Sequence, residues 1–220
     1  MGRYRKILVA IDGSESSMHA LRESFKLATK EQSWITVEPY EGIVDIAQAE
    51  KCDLIILGKK RMGRLERVLM GSVTAKVIGY TLCRVLVVPI DAKLSFEKIL
   101  IATDGSMHSD FASEEAIDIA KRCGSNLIIL SVAKKDETLP AAKESVDRVR
   151  EVAEKEGIKV ETLIRTGMPH EVIVNTAAQK DVGLMVVGSH GRTGISKLLM
   201  GSVTERVIGH AKCAVLVWKL

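Results

Sequence analysis

The sequence predicts an α/β chain of two tandem, doubly wound parallel-sheet domains, the second complete and the first short of about one strand and one helix. Three observations carry this. The chain repeats itself: Lys6-Ile7-Leu8-Val9-Ala10-Ile11-Asp12-Gly13-Ser14 returns as Lys98-Ile99-Leu100-Ile101-Ala102-Thr103-Asp104-Gly105-Ser106. Leu69-Met70-Gly71-Ser72-Val73-Thr74 returns as the segment from Leu199 to Thr204. The first pair is offset by 92 residues and the second by 130, so the first copy lacks about 38 residues from its middle. Finally, short continuous apolar runs alternate with helical segments, which argues for a parallel sheet covered on both faces.

In the first copy, residues 6–11 form a strand that ends in Asp-Gly-Ser, a turn and helix-start signal. A helix is expected over about 16–29. Between Lys30 and Pro39 only residues 33–37 can form a strand. A helix over 40–50, a strand over 54–58, a helix over 67–78 and a strand over 85–88 follow. The linker falls at 90–95, after Pro89, giving domains 1–90 and 95–220. In the second copy the expected strands are 98–103, 126–132, 159–165, 182–188 and 214–218. Helices are expected over 109–122, closed by Gly124, and over 139–156, with Gly157 just beyond. Pro169 opens another, at a position where proline is tolerated, and the last spans 196–208. Right-handed crossovers then complete a doubly wound sheet.

Composition narrows the function. Of 220 residues, 46% are hydrophobic and 27% charged, an ordinary globular mixture. No apolar run is long enough to span a bilayer, and the basic N-terminus lacks the features of a signal peptide. A cytoplasmic location is the expectation. The four cysteines form no CxxC pair and no zinc-ligand spacing, and read as small buried hydrophobes. Residues 1–94 hold 15 Lys and Arg against 11 acidic residues, while the remainder balances. The excess sits in one segment, with Lys59, Lys60, Arg61, Arg64 and Arg67 against Glu66. That gives nucleic-acid binding weak support. The segment reads as a solvated loop, or as a contact for an acidic partner or for a phosphate held by copy two.

The most informative motif follows the fourth strand of copy two: Gly188-Ser189-His190-Gly191-Arg192-Thr193-Gly194, then Gly201-Ser202-Val203-Thr204, a G-x2-G-x9-G-S spacing. Glycines let backbone N–H groups approach an anion, and a helix start adds partial positive charge. Ser202 and Thr204 can add hydroxyl donors. The loop leaves the carboxyl end of a strand, where open α/β sheets bind ligands. Neither common nucleotide fingerprint is present. A tight turn needing positive φ is the alternative explanation of the glycines.

Together with the opening strand that ends Thr103-Asp104-Gly105-Ser106 and the closing Cys213-x-Val-Leu-Val strand, this motif resembles the universal stress protein family. The likeness covers nearly all of 97–220 and, truncated, 4–89. It implies an adenine nucleotide alpha hydrolase-like fold, a five-stranded parallel sheet of order 3-2-1-4-5, and similarity to members that bind ATP. Carried over, the backbone of Gly188, Gly191, Gly201, Ser202 and Val203 would hold the phosphates, and Asp104 would contact the ribose or adenine region. Ala102, Thr103 and Val132 would line the base pocket. Ser189, His190, Arg192 and Thr204 complete the expected set, His190 by reaching the γ-phosphate. Asp104 also reads as a turn or cap residue, as its repeat Asp12 does. Arg61 stands where copy one should have its second glycine, so that copy is not expected to bind ATP in the family manner.

The resemblance implies a nucleotide-sensing regulatory module that takes ATP, with or without Mg, and meets a protein partner. Two alternatives stay open: an interaction module indifferent to nucleotide, or a weak ATPase or self-phosphorylating protein. No catalytic or metal residue is assigned, because Asp104, Ser106 and His108 read as a cap-rich loop rather than a triad. In this family the last strand pairs across a dimer. Here the edge strands Val85 to Val88 and Val215 to Trp218 can pair within the chain as a pseudo-dimer, or between chains as a homodimer. Trp218 and Leu220 are expected to bury there, or in the core.

Overall fold

The computed structural model describes residues 4–27, 32–36, 40–60, 70–191 and 200–219. The first half contains β1 (Lys6–Ala10), α1 (Glu15–Ser24), β2 (Gln32–Thr36), α2 (Tyr40–Ala49), β3 (Leu54–Lys59), α3 (Ser72–Tyr80) and β4 (Arg84–Pro89). The second contains β5 (Lys98–Ala102), α4 (Met107–Cys123), β6 (Asn126–Ala133), α5 (Leu139–Lys155), β7 (Val160–Thr166), α6 (Pro169–Gln179), β8 (Leu184–Gly188), α7 (Ser202–His210) and β9 (Ala214–Trp218).

Most boundaries fall within two residues of the sequence reading. Helix α1 is the shortened one. Lys26 and Leu27 turn their amides back to Glu23 and Ser24 in three-residue steps, which tightens and ends the helix before residue 28. Both late helices start at the serine of the Gly-Ser pair. Gly71 and Gly201 are their N-caps rather than interior residues, consistent with the poor helix propensity of glycine. The expected earlier turns, at 67–69 and 196–199, lie outside the described residues.

The strands form one nine-stranded sheet in the order β2-β1-β3-β4-β9-β8-β5-β6-β7. Counted within the second half alone, the order is 3-2-1-4-5. Every neighbouring pair is parallel except β4 and β9, which run antiparallel with Val85 opposite Val217 and Val87 opposite Val215. Strand β2 shows what the shorter first copy has done. By the 130-residue spacing it corresponds to β7, yet it pairs with β1 as β6 pairs with β5. A strand next to β1 is needed to satisfy the backbone groups on that edge, so the surviving strand takes the inner place.

Two apolar layers cover the sheet, and each runs through both halves. Ile7, Val9, Leu54, Leu86, Ile99 and Leu216 belong to one; Leu8, Ile55, Val87, Leu100, Met185 and Val217 belong to the other. The alternation follows from the two-residue side-chain period of each strand. Helices α1, α4 and α5 cover the first layer, while α2, α3, α6 and α7 cover the second. Trp218 stacks face to face on Phe111 of α4, with ring centroids 4.7 Å apart, so it packs within its own half. Leu220 lies outside the described residues.

Polar contacts also cross the β4–β9 junction. Glu115 of α4 is fully buried. It accepts hydrogen bonds from Tyr4 Oη at 2.7 Å and Arg84 Nε at 2.6 Å, both from the first half. Two lysines make reciprocal contacts. Lys59, at the end of β3, donates to the carbonyls of Ile208 at 2.7 Å, Ala211 at 3.5 Å and Gly209. Lys219, just past β9, donates to Ile78 O at 2.7 Å and to Gly79 O. Each half thus places a cation on the C-terminal carbonyls of the other half's last helix. Lys59 is therefore half-buried and engaged, which corrects its reading as part of a solvated loop. Lys60 beside it is exposed, and Arg61, Arg64 and Arg67 lie outside the described residues.

All four cysteines are free, and burial pushes the Cys213 thiol up to about 12. Among the described residues no helix is long and apolar enough to cross a membrane.

Arg84→Met removes the cation from a carboxylate that has no access to water. It is expected to cost roughly 3 kcal/mol in a urea titration. Pairing it with Glu115→Leu should recover most of that loss, because the buried charge goes with it.

Candidate functional site

A cavity of about 580 Å³ opens at the carboxyl ends of β5, β6 and β8. Its volume lies within the usual range for small-molecule sites. Its apolar lining includes Ala102 on β5, Leu130 and Val132 on β6, Ala141 on α5 and Ile173 on α6. Another part of the lining is polar and rich in backbone. It is formed by Asp104, by Gly188, His190 and Gly191 after β8, and by Gly201, Ser202, Val203 and Thr204 at the start of α7.

The turn after β5 sets the position of Asp104. Its Oδ1 accepts the Ser106 amide at 3.0 Å, and Ser106 caps α4 by accepting the Ser109 amide at 3.3 Å. The first copy repeats both bonds, Ser14 N to Asp12 Oδ1 at 3.0 Å and Ser17 N to Ser14 Oγ at 3.3 Å. The Ser14 hydroxyl and amide hold the Asp12 carboxyl down at about 2. The turn role of both aspartates is thus structural. In the second half the other oxygen of Asp104 meets the glycine loop: a Cβ on Gly191 would fall 2.5 Å from Asp104 Oδ2.

None of Gly188, Gly191 and Gly201 has a positive φ, so a strained turn does not explain them. Close approach does. A Cβ on Gly188 would lie 2.8 Å from the carbonyl of His108, because the first turn of α4 rests on the end of β8. Gly58 has the same reason, since a Cβ there would lie 2.2 Å from Ser16 O. This glycine is therefore a packing requirement of both halves. Gly201 rests on the backbone of residues 189–191, with a Cβ contact of 3.3 Å to His190 Cα.

Helix α7 is tied to the loop by Gly201 N to Ser189 O at 2.9 Å and Thr204 Oγ1 to Gly188 O at 2.8 Å. Its N-cap glycine supplies no side-chain bond, so the first-turn amides have no side-chain acceptor from the cap. Ser189 differs from its expected place in the cavity. It is fully buried beneath the loop, its amide bonded to Trp218 O at 2.9 Å. Its Oγ lies 3.3 Å from His108 Nδ1 and 3.2 Å from His190 Nδ1. Burial, and then the neighbouring His190 ring, hold His108 below the usual imidazole range against the pull of Asp104. His108 does not line the cavity; it sits behind the loop, joined to His190 through the Ser189 hydroxyl.

Of the other expected residues, Ala102, Thr103, Asp104, Val132 and the α7 start all line the cavity. Arg192 lies outside the described residues. The sequence reading also missed Lys134, Thr138, Ala141 and Ala142, the wall supplied by the start of α5 and the segment before it. The small residues at 141 and 142 on an otherwise charged helix were the available signal. Helix α5 has no counterpart among the described residues of the first half, which lacks this wall. Among the described residues no group of three His, Cys, Asp or Glu gathers to hold a metal. A second hollow, on the charged outer face of α5, is lined by that helix alone and has no converging elements.

If Gly58 and Gly188 serve packing, replacing either should destabilise the fold without any ligand present. Gly58→Ala and Gly188→Ala are each expected to cost roughly 1–3 kcal/mol in thermal unfolding. Gly13→Ala, which meets no atom within 4 Å, should cost less, through its φ of +76° alone.

The model of the universal stress protein family matches residues 30–89 and 95–219. A universal stress protein of Methanocaldococcus jannaschii, MJ0531, is 36% identical over 140 residues, covering 56% of this chain and 82% of its own length. One from Mycolicibacterium smegmatis is 28% identical over 227 residues, covering 92% and 76%. Among solved structures, a universal stress protein from Archaeoglobus fulgidus shares the fold over 99% of both chains, with a TM-score of 0.76 and 20% identity. A universal stress protein solved in complex with cAMP covers 57% of this chain and 98% of its own, with a TM-score of 0.50 and 27% identity. With both halves of the repeat matched, the chain belongs to the universal stress protein family.

Proposed function

We propose that this protein is a nucleotide-sensing regulatory module that holds ATP in the cavity of its second half. The reading rests on one observation above all: the first turn of α7 and the glycine loop after β8 line the same cavity as the apolar side chains of β5, β6, α5 and α6. Exposed helix-start amides and a backbone cleared of Cβ atoms suit phosphates. The apolar lining at Ala102, Leu130 and Val132 suits a purine. Asp104, whose carboxylate touches the glycine loop, would contact the ribose. The family neighbour solved with cAMP supports an adenine nucleotide as the ligand class. His190 in the polar lining would face the terminal phosphate, whether or not Mg accompanies it.

In this reading 1–90 is a truncated unit and 95–220 a complete one. The two act as a pseudo-dimer within one chain, because β4 and β9 already occupy each other's edges. The unpaired cysteines fit a cytoplasmic setting. The first unit lacks the α5 wall and carries Arg61 in the place of Gly191, so it stays empty. Nucleotide then changes how the protein meets a partner. A purely interacting role has its own support in Tyr80 and Leu82 of the first unit, 58% and 78% exposed.

Isothermal titration with Mg-ATP separates these readings. One site per chain is expected, lost in Gly191→Arg, whose side chain would start 2.5 Å from the Asp104 carboxylate. At 100 times its dissociation constant, ATP should stabilise the fold by roughly 2.7 kcal/mol. Two sites would contradict the empty first unit. No binding at millimolar ATP would leave the interaction module.

A further inference from the structure

We propose that Lys59, from the truncated half, is a positioning residue for the anion-facing end of the cavity in the other half. The inference rests on the nucleotide reading above for what the cavity holds, but its structural basis is independent. Helix α7 has only nine residues and no side-chain N-cap. A helix this short has little stability of its own and depends on its attachments. At its N-terminal end it is bonded to the loop through Thr204 Oγ1 to Gly188 O and Gly201 N to Ser189 O. At its C-terminal end the carbonyls of Ile208, Gly209 and Ala211 all receive the ammonium of Lys59. These are the groups a helix end leaves without intrahelical partners, and a cation there complements the helix dipole.

A mechanical chain therefore runs from β3 of the first half to the loop of the second. Lys59 extends a strand that is locked between β1 and β4, so its starting point is rigid. It fixes the far end of α7, and α7 fixes Gly188 and Ser189. Anion binding by backbone amides depends on donor placement to a fraction of an ångström. A short helix released at one end would lose that placement at the other. Burial pushes the Lys59 amine down to about 8, so at neutral pH its charge is kept in a half-buried site against its desolvation. Lys219 makes the mirror contact with α3, which lines neither of the two hollows described above. The molecule thus contains its own control: two lysines with the same chemistry, of which one holds the helix of the candidate site.

The test compares Lys59→Met, Lys59→Arg and Lys219→Met for binding of Mg-ATP and of inorganic tripolyphosphate. Amide hydrogen exchange at Glu205, whose N–H bonds to Gly201 O at the cavity end of α7, is measured without ligand. Lys59→Met should weaken both ligands about tenfold and speed Glu205 exchange by a similar factor. Lys59→Arg should restore most of both, and Lys219→Met should leave both near wild type while lowering the unfolding midpoint. Wild-type affinity and exchange in Lys59→Met overturn the proposal. Equal weakening in Lys219→Met also overturns it, since general softening then explains the effect. If wild type binds neither ligand, the nucleotide reading fails by itself. Glu205 exchange then decides the lysine: acceleration in Lys59→Met alone supports end-to-end positioning of α7, and no change refutes it.

Discussion

The antiparallel pairing of β4 with β9 is the constraint on which the rest of the molecule depends. A four-stranded parallel sheet with one helix missing has too little core to stand well alone, and an open edge strand invites unwanted pairing. Joining the two edges removes both problems. It makes each apolar layer continuous through the two halves, from Ile7 and Leu54 to Ile99 and Leu216 on one face. It also brings Tyr4 and Arg84 to the buried Glu115, and each C-terminal lysine contact to the opposite helix. A buried carboxylate of this kind contributes modest net stability but penalises any misaligned docking, because a shifted register would strand the charge.

Much of this was legible in the sequence. The repeat, the parallel character of the strands, the missing strand and helix, and the glycine loop all follow from residue patterns that act locally. What escaped was non-local. The reason for Gly188 is the first turn of α4, about 80 residues earlier in the chain. The partners of Lys59 are carbonyls about 150 residues later. The wall at Thr138, Ala141 and Ala142 depends on how α5 lies over β6. His108 reaches His190 only through the buried hydroxyl of Ser189, which stands between the two imidazoles. None of these has a spacing to read, since the residues meet only once the sheet is formed. The move of β2 to the inner position is of the same kind: its sequence matches one strand, and its place is dictated by an unsatisfied edge.

The two halves show which parts of a shared plan belong to folding and which to the site. The Asp-Gly-Ser turn with its two hydrogen bonds, and the glycine at the end of the fourth strand of the plan, occur in both and serve packing in both. The second glycine of the loop and the α5 wall belong to the half with the cavity. Lys59 and Lys219 belong to neither class. They are ties between halves, and they exist only because the halves are joined in opposite directions.

That junction has a consequence for how the protein behaves in a cell. Partners held together only by contact separate as they are diluted, so their paired fraction rises and falls with expression level. Two units on one polypeptide see each other at a fixed effective concentration set by the short connection of residues 90–97. The pairing is then as complete at a few copies per cell as at many thousands, and neither unit can exchange with a relative carrying a different ligand site. How the two halves are paired is set by the chain itself and not by how much of it has been made.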